Sequence, residues 1–128
     1  MEEKGGLKII EFTTQDDWET WLDHVSDNPK HTGIWMKIAK KHNKDQKITV
    51  TYDQALDSAL CYGWIDGQRA SYDSVYFLQR FTPRRTRSIW SKVNRNKVTV
   101  LTKNGKMKPG GLLQIELAKN NGRWDSAY

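Results

Sequence analysis

The segment between Thr51 and Gly63 constrains the fold most, because it carries both the start and the stop signals of a helix. Thr51 and Gln54 have the spacing of a capping box, in which each side chain bonds to the backbone N–H of the other residue. Apolar residues then recur on one helical face, and Gly63 suits the end of the helix. The face is formed by Tyr52, Ala55, Leu56, Ala59 and Leu60. We therefore predict a helix that packs through one side.

Three more helices are predicted from similar signals. Thr13 or Thr14 can accept from the free N–H groups of a first turn, and an apolar stripe follows to about Asp27. Its members are Trp18, Trp21, Leu22 and Val25. Ser88 can cap a helix to about Lys103, with Ile89, Val93, Val100 and Leu101 facing inward. The last helix is predicted from Pro109 to about Asn120, since proline favours the first turn.

Four segments with β-prone or alternating apolar residues are predicted as strands. They are Leu7–Phe12, Gly33–Lys41, Trp64–Ala70 and Val75–Phe81. The last two flank a short polar loop and should pair as an antiparallel hairpin. The sequence thus predicts one α+β domain over residues 1–128, with a small, mainly antiparallel sheet and about four helices packed on it.

Charge is distributed very unevenly along the chain. Residues 1–60 hold 8 basic and 11 acidic residues, whereas residues 61–128 hold 13 basic and 4 acidic ones. Between Ser74 and Ile115 there is no carboxylate at all. Because such asymmetry steers anionic partners, we expect the second half to bind an anion.

The predicted anion site lies in the sequence FTPRRTRSIWSK, just before the third helix. Arginine suits bidentate recognition of phosphate or carboxylate, and the free N–H groups of a helix start favour negative charge. The predicted anion-binding residues are Arg84, Arg85, Arg87, Ser88, Ser91 and Lys92. The alternative reading is that these arginines pair with internal carboxylates such as Asp66 or Asp73.

A neighbouring pocket could make the protein an enzyme acting on a phosphorylated or carboxylated metabolite. In the sequence GWIDG, Asp66 lies between an apolar dipeptide and a glycine, a placement that could partly bury the carboxylate for general acid–base work. The possible pocket residues are Trp64, Asp66, Tyr72, Arg80, Trp90 and Asn94. A buried Asp that satisfies backbone donors or an arginine is the alternative, so no catalytic residue is assigned.

A nucleic-acid-binding module is a further alternative, because basic residues interleaved with aromatic ones can track phosphates while bases stack. The aromatic residues, however, lie near apolar helix faces, and no RNA- or DNA-binding motif is present. The expected partner therefore remains an anionic small molecule or an acidic protein surface, with nucleic acid possible and the oligomeric state open.

Other classes are disfavoured by composition. Cys61 is the only cysteine, so no intrachain disulfide can form, and we expect a packed thiol. The three histidines and Cys61 lack metal-ligand spacing, and neither a metal nor a cofactor is predicted. No apolar run could span a membrane and the amino terminus is not a signal peptide, which predicts a cytoplasmic location.

Several ordered segments of the chain resemble the YdeI/OmpD-associated family. They are TYDQAL, ALCYGWIDG, YFLQRFTPRR, SIWSKVN, GKMKPG, GRWDSAY and GIWMKIAKK. The resemblance implies a small bacterial protein connected with bacteriocin protection and envelope stress, without an established reaction, cofactor or catalytic residue. Relatives often continue into a further basic helical segment. Together with the charge pattern, this leads us to expect a stress or antimicrobial-resistance accessory domain that binds an anion.

Overall fold

Helices and strands alternate along the chain in the order that an α+β domain requires. The computed structural model describes residues 2–26, 28, 30–85 and 88–128, and these form five strands and four helices. The strands are β1 (Glu3–Lys4), β2 (Leu7–Glu11), β3 (Ile34–Ala39), β4 (Trp64–Ser71) and β5 (Tyr76–Pro83). The helices are α1 (Gln15–Val25), α2 (Tyr52–Cys61), α3 (Lys92–Lys103) and α4 (Pro109–Asn120). The predicted fold class is confirmed.

The five strands form one sheet in the order β1-β2-β3-β5-β4. β4 and β5 are the predicted antiparallel hairpin, and β5 also pairs antiparallel with β3. The pairing of β2 with β3 is parallel, because α1 lies between them in the chain and returns it to the same end of the sheet. The two-residue strand β1, which was not predicted, extends the edge beside β2.

The helices cover only one face of the sheet. Alternate residues of β3, namely Ile34, Met36 and Ile38, join the large apolar cluster that contains every buried apolar residue of the helices. The opposite, open face carries a small cluster formed by Leu7, Trp35 and Leu78, to which no helix contributes. The strand period of two therefore divides the sheet into a helix-covered face and an open face.

The predicted starts of the first two helices are confirmed. The Thr14 hydroxyl accepts from the N–H of Asp17 at 3.1 Å, and Thr51 and Gln54 form the complete capping box. Gly63 follows α2 with a φ of +83°, the left-handed backbone that ends many helices. α1 ends at Val25, whereas the predicted end at Asp27 lies outside the described residues.

The prediction for α3 was wrong in its start and in its buried face. Ser91 rather than Ser88 is the N-cap, and Ile89, Val93 and Val100 are 63%, 63% and 57% exposed. The buried residues of the helix are Asn94, Val98 and Leu101. Consecutive helical positions are rotated by about 100°, so the true buried line lies one position away from the expected valines. Leu101 alone was assigned correctly.

The amino-terminal turn of α4 packs tightly against the carboxyl end of α2. The N–H of Lys108 donates to the carbonyl of Cys61 at 3.0 Å. A Cβ atom at Gly111 would approach the Leu60 carbonyl oxygen to 2.7 Å, so this position needs glycine for close backbone contact. Within the described part of the chain, no helix combines the length and apolar character needed to cross a membrane.

Candidate functional site

The candidate site is a cavity of about 350 Å³ beside the β4–β5 hairpin, which we call the arginine cleft. Its lining residues are Thr32, Gly67, Gln68, Arg80, Thr82 and Arg85. Two guanidinium groups, two hydroxyls and an amide thus surround one cavity, and none of its lining residues is acidic. This set of groups suits an anion, because arginine presents several N–H donors in a planar fork.

Arg80 reaches the cleft from the open face of the sheet. In the β3–β5 register it lies opposite Trp35, whose side chain belongs to the open-face cluster. A Cβ atom at Gly67 would lie 3.5 Å from the Arg80 Cβ, so the arginine stem runs close to this glycine. The Arg80 Nε is buried and has no hydrogen-bond partner within the described residues. A buried donor left unpaired is unfavourable, so this guanidinium has unused capacity for an acceptor.

A β-bulge shapes the wall of the cleft that faces Arg80. The β4–β5 register shifts between Asp66 and Arg69, and Gly67 and Gln68 lie within this irregularity. The buried Gln79 amide donates to the carbonyls of Gly67 at 2.8 Å and Gln68 at 3.2 Å. Because a buried side chain holds both bulge carbonyls, this wall is preformed.

The opposite wall depends on Gly33. Its φ is +115°, and a Cβ atom there would lie 2.5 Å from the Phe81 carbonyl oxygen and 2.7 Å from Thr82 Cγ2. Only glycine therefore allows the loop before β3 to lie so close to β5. This close approach places Thr32 in the same cavity as Thr82.

Arg85 is exposed and lies at the rim of the cleft, after the end of β5. Its N–H donates to the Ser88 hydroxyl at 3.0 Å, and the N–H of Ser88 donates to the Arg85 carbonyl at 2.9 Å. These two bonds tie the backbone of Arg85 to Ser88. Arg87, also predicted to bind an anion, lies outside the described residues.

Arg84 points away from Arg85 into the protein. It is only 6% exposed, its guanidinium carbon lies 3.6 Å from the centre of the Trp90 ring, and its Nη1 donates to the Ile89 carbonyl at 3.2 Å. Burial lowers the pKa of Arg84 to about 10, although the charge of Asp66 opposes this shift. Its Nε and Nη2 are buried without partners among the described residues. Arg84 is thus a buried cation stacked on an aromatic ring.

The other residues predicted around the helix start are engaged in local structure. The Ser91 hydroxyl accepts from the N–H of Asn94 at 3.0 Å as the cap of α3. Lys92 is the exposed first residue of that helix, and its N–H donates to the Tyr128 carbonyl at 2.7 Å. Arg84 and Arg85 are thus separated from the first turn of α3, which begins at Lys92.

Asp66 lies apart from the arginine cleft. It is paired in register with Phe81 on the helix-covered face, and its carboxylate accepts from the Tyr52 hydroxyl at 2.5 Å. Burial, reinforced by this bond to Asp66, raises the pKa of Tyr52 above its usual range. Trp64 is packed in the core against Trp18. The possible pocket predicted from the sequence is thus divided, with Arg80 in the cleft and Asp66 on the other side of the sheet.

Tyr72 is also outside the arginine cleft. Its hydroxyl donates to the carboxylate of Glu2 at 2.6 Å, and this bond is the main reason that its pKa rises to about 12. The cleft residues that sequence reasoning missed are Thr32, Gln68 and Thr82. They belong to three separate segments that only the fold brings together, so no local pattern marks them. In the sequence, only the glycines at positions 33 and 67 mark the places where the backbone walls of the cleft come close to other residues.

No group of three or more His, Cys, Asp or Glu side chains in the described ranges is placed to hold a metal ion. The fold and the cleft together define a small α+β domain with an arginine-lined cavity on its sheet. Residues 10–114 match the model of a family described as a domain of unknown function (DUF8412), and the chain therefore belongs to that family. No curated protein and no solved structure matches the chain.

Proposed function

We propose that this domain binds a small anionic ligand, carrying a phosphate or carboxylate group, in the arginine cleft. The observation that carries the proposal is the convergence of Arg80 and Arg85 on one cavity whose lining contains no acidic residue. Guanidinium groups form short, charge-assisted hydrogen bonds with such anions. The Thr32 and Thr82 hydroxyls supply further donors of the kind that complete an anion site.

The surroundings of the cleft support the same function. Residues 61–128 have an excess of 9 basic over acidic residues, and this field attracts anions toward the cleft from a distance. A cavity of about 350 Å³ suits a small ligand or a phosphorylated group of a larger one. An acidic protein surface could present the same chemistry through a single side chain.

Binding is favoured over catalysis because the lining residues include no carboxylate, histidine or cysteine that could act as a base or nucleophile. The enzyme hypothesis required a pocket in which Asp66 and the arginines converge. The charge of Asp66 acts on buried Arg84, but Asp66 does not line the cleft and its carboxylate is bonded to Tyr52. In this proposal the domain acts in the cytoplasm as a stress or antimicrobial-resistance accessory, as the sequence predicts. In that role, the protein would sense or hold an anionic metabolite.

The proposal can be tested by calorimetric titration with inorganic phosphate and phosphoserine. We expect Arg85→Met and Arg80→Met each to weaken binding about 10- to 100-fold, since a hydrogen bond to a charged group contributes about 1.5–3 kcal/mol. The matched control is Arg69→Met, which removes an equal charge from a residue outside the cleft. If all three variants lose affinity equally, the cations act only through net charge and the cleft is not the site.

The nucleic-acid alternative is tested with the same variants and a single-stranded oligonucleotide at several salt concentrations. A tracking surface predicts that affinity falls by about 0.7 log units per contacted phosphate for each log unit of salt. We expect instead weak binding to the oligonucleotide at low salt, unaffected by Arg80→Met. Tight binding with a steep salt dependence would favour the nucleic-acid-binding module.

A further inference from the structure

A second, larger cavity of about 590 Å³ lies between the loop after β3, the start of α2 and the β4–β5 hairpin. We call it the aromatic pocket because Phe77 and Tyr52 belong to its lining. It shares no lining residue with the arginine cleft. Its volume is within the range of pockets that enclose whole organic ligands, about 300–1,000 Å³.

Arg69 is the central polar group of this pocket. Its guanidinium carbon lies 4.3 Å from the centre of the Phe77 ring and 5.2 Å from that of Tyr52. Within the described residues, the Arg69 guanidinium forms neither a hydrogen bond nor an ion pair. The two rings attract the guanidinium, and its N–H groups have no partner among the described residues. The Arg69 N–H groups are therefore available to a carboxylate.

Two lysines add to the positive charge at the rim. Lys40 and Lys41 both belong to the lining, and Asp53 is its only carboxylate. The Lys40 ammonium group donates to the Asp73 carbonyl at 2.7 Å, which holds this side chain in place. The lining holds three cations and one carboxylate, and the Asp66 carboxylate lies against the Tyr52 hydroxyl, so the net charge around the pocket is positive and favours an anionic ligand.

The floor of the pocket is apolar and fixed. Val50 is 1% exposed, and Phe77 and Ala39 are half-buried. The Tyr52 ring is held because its hydroxyl donates to Asp66 at 2.5 Å. A floor of this kind stacks with a flat apolar group, whereas the arginine cleft offers mainly polar side chains.

We propose that the aromatic pocket is a second binding site, specific for aromatic carboxylates. The ring of the ligand packs beside the Phe77 and Tyr52 rings, and its carboxylate bonds to the N–H groups of the Arg69 guanidinium. Lys40 and Lys41 attract the anion and exclude cationic ligands of the same shape. This site is independent of the anion site proposed for the arginine cleft, so either can fail without the other.

The probe for this proposal is naphthalene-2-carboxylate, titrated into the full chain by calorimetry and by ¹H–¹⁵N NMR. We expect saturable binding, with amide shifts near Val50 and Phe77. Arg69→Met should weaken it at least tenfold because the variant loses the charge but keeps an apolar side chain. Lys103→Met, the matched loss of one cation at an exposed residue that lines neither cavity, should change affinity less than twofold.

A comparison that leaves the protein unchanged covers the case in which Arg69→Met does not fold. Naphthalene-2-carboxamide has the same ring without the charge and should bind at least tenfold more weakly than the carboxylate. The proposal is overturned if the two ligands bind equally, if Arg69→Met and Lys103→Met weaken binding alike, or if no saturable binding occurs at millimolar probe.

Discussion

The aromatic side chains on the two faces of the sheet are shielded from solvent by different means, although residues of the two faces alternate along the same strands. On the helix-covered face, Trp18 and Phe81 have no exposed surface and their ring centres lie 5.5 Å apart. On the open face, Trp35 is covered in part by Lys4, whose ammonium group lies 5.5 Å from the ring centre. One face is closed by apolar packing, and the other by long side chains with charged ends.

This difference indicates that a ligand can bind on the open face without disturbing the apolar core. Lysine and arginine stems can bury an aromatic ring while their charged ends stay at the surface, so the open face combines covered aromatic rings with exposed charges. Lys37 illustrates the arrangement, since its ammonium group lies 4.7 Å from the Tyr72 ring and 4.4 Å from the Tyr76 ring. Arg80 has a similar arrangement, since it lies on the open face opposite Trp35 and lines the arginine cleft.

The largest expected effect separates the two faces through their tryptophans. Trp18→Ala should lower the free energy of unfolding by about 3–5 kcal/mol, because the side chain is fully buried and its indole N–H donates to the Ala55 carbonyl at 3.0 Å. Trp35→Ala should cost about 1–3 kcal/mol, since flexible lysine side chains can move into the space. Urea unfolding monitored by circular dichroism measures both. Equal losses would show that the open face is packed as rigidly as the other.

Much of the fold was predictable because its signals are local. The capping box at Thr51, the stripe through Trp18 and Leu22, and the proline at position 109 each specify a helix within a few residues, and the structure confirms all three helices. The buried face of α3 was not predictable in the same way. Its line includes the polar Asn94, so the exposed valines gave the stronger apolar signal.

The candidate site was predictable only in part. Sequence reasoning placed Arg84 and Arg85 together because they are adjacent, yet Arg84 stacks on buried Trp90 and Arg85 lines the cleft. Which of two adjacent side chains faces solvent depends on tertiary packing, and their adjacency in the sequence does not specify it. Arg80, Arg85 and Thr32 line the same cavity because of the sheet register and the path of the loops. Their spacing in the sequence does not indicate this.

A smaller effect is expected when one of the charges that cover the open face is removed. Lys37→Met keeps an apolar stem but loses the cation above the two tyrosine rings, and it should destabilise the protein by about 0.5–1 kcal/mol. Lys44→Met, in the exposed loop after β3, is the control and should change stability by less than about 0.5 kcal/mol. Thermal unfolding at low and high salt measures both. If Lys44→Met loses as much stability as Lys37→Met, the change in net charge causes the effect, and the contact with the tyrosine rings does not.

The last expected effect concerns the ionisation of Cys61, on the helix-covered side, and it appears only above neutral pH. Burial, reinforced by the charges of Glu19 and Asp57, raises the pKa of its thiol from 9.0 to about 11. Since the folded protein favours the protonated thiol, this contribution to stability is complete below pH 9 and is lost as the pH rises from 9 to 11.

The same pKa predicts slow alkylation of Cys61 in the folded protein. At pH 8 its thiolate fraction should be about 100-fold below that of the unfolded chain, and reaction with iodoacetamide should be slower by at least that factor. The rate should increase with pH toward a midpoint near 11, whereas the urea-unfolded protein should show a midpoint near 9. Mass spectrometry of quenched samples measures both profiles. A midpoint near 9 in the folded protein would mean that the thiol is solvated, and that the packing of α4 against the end of α2 opens readily.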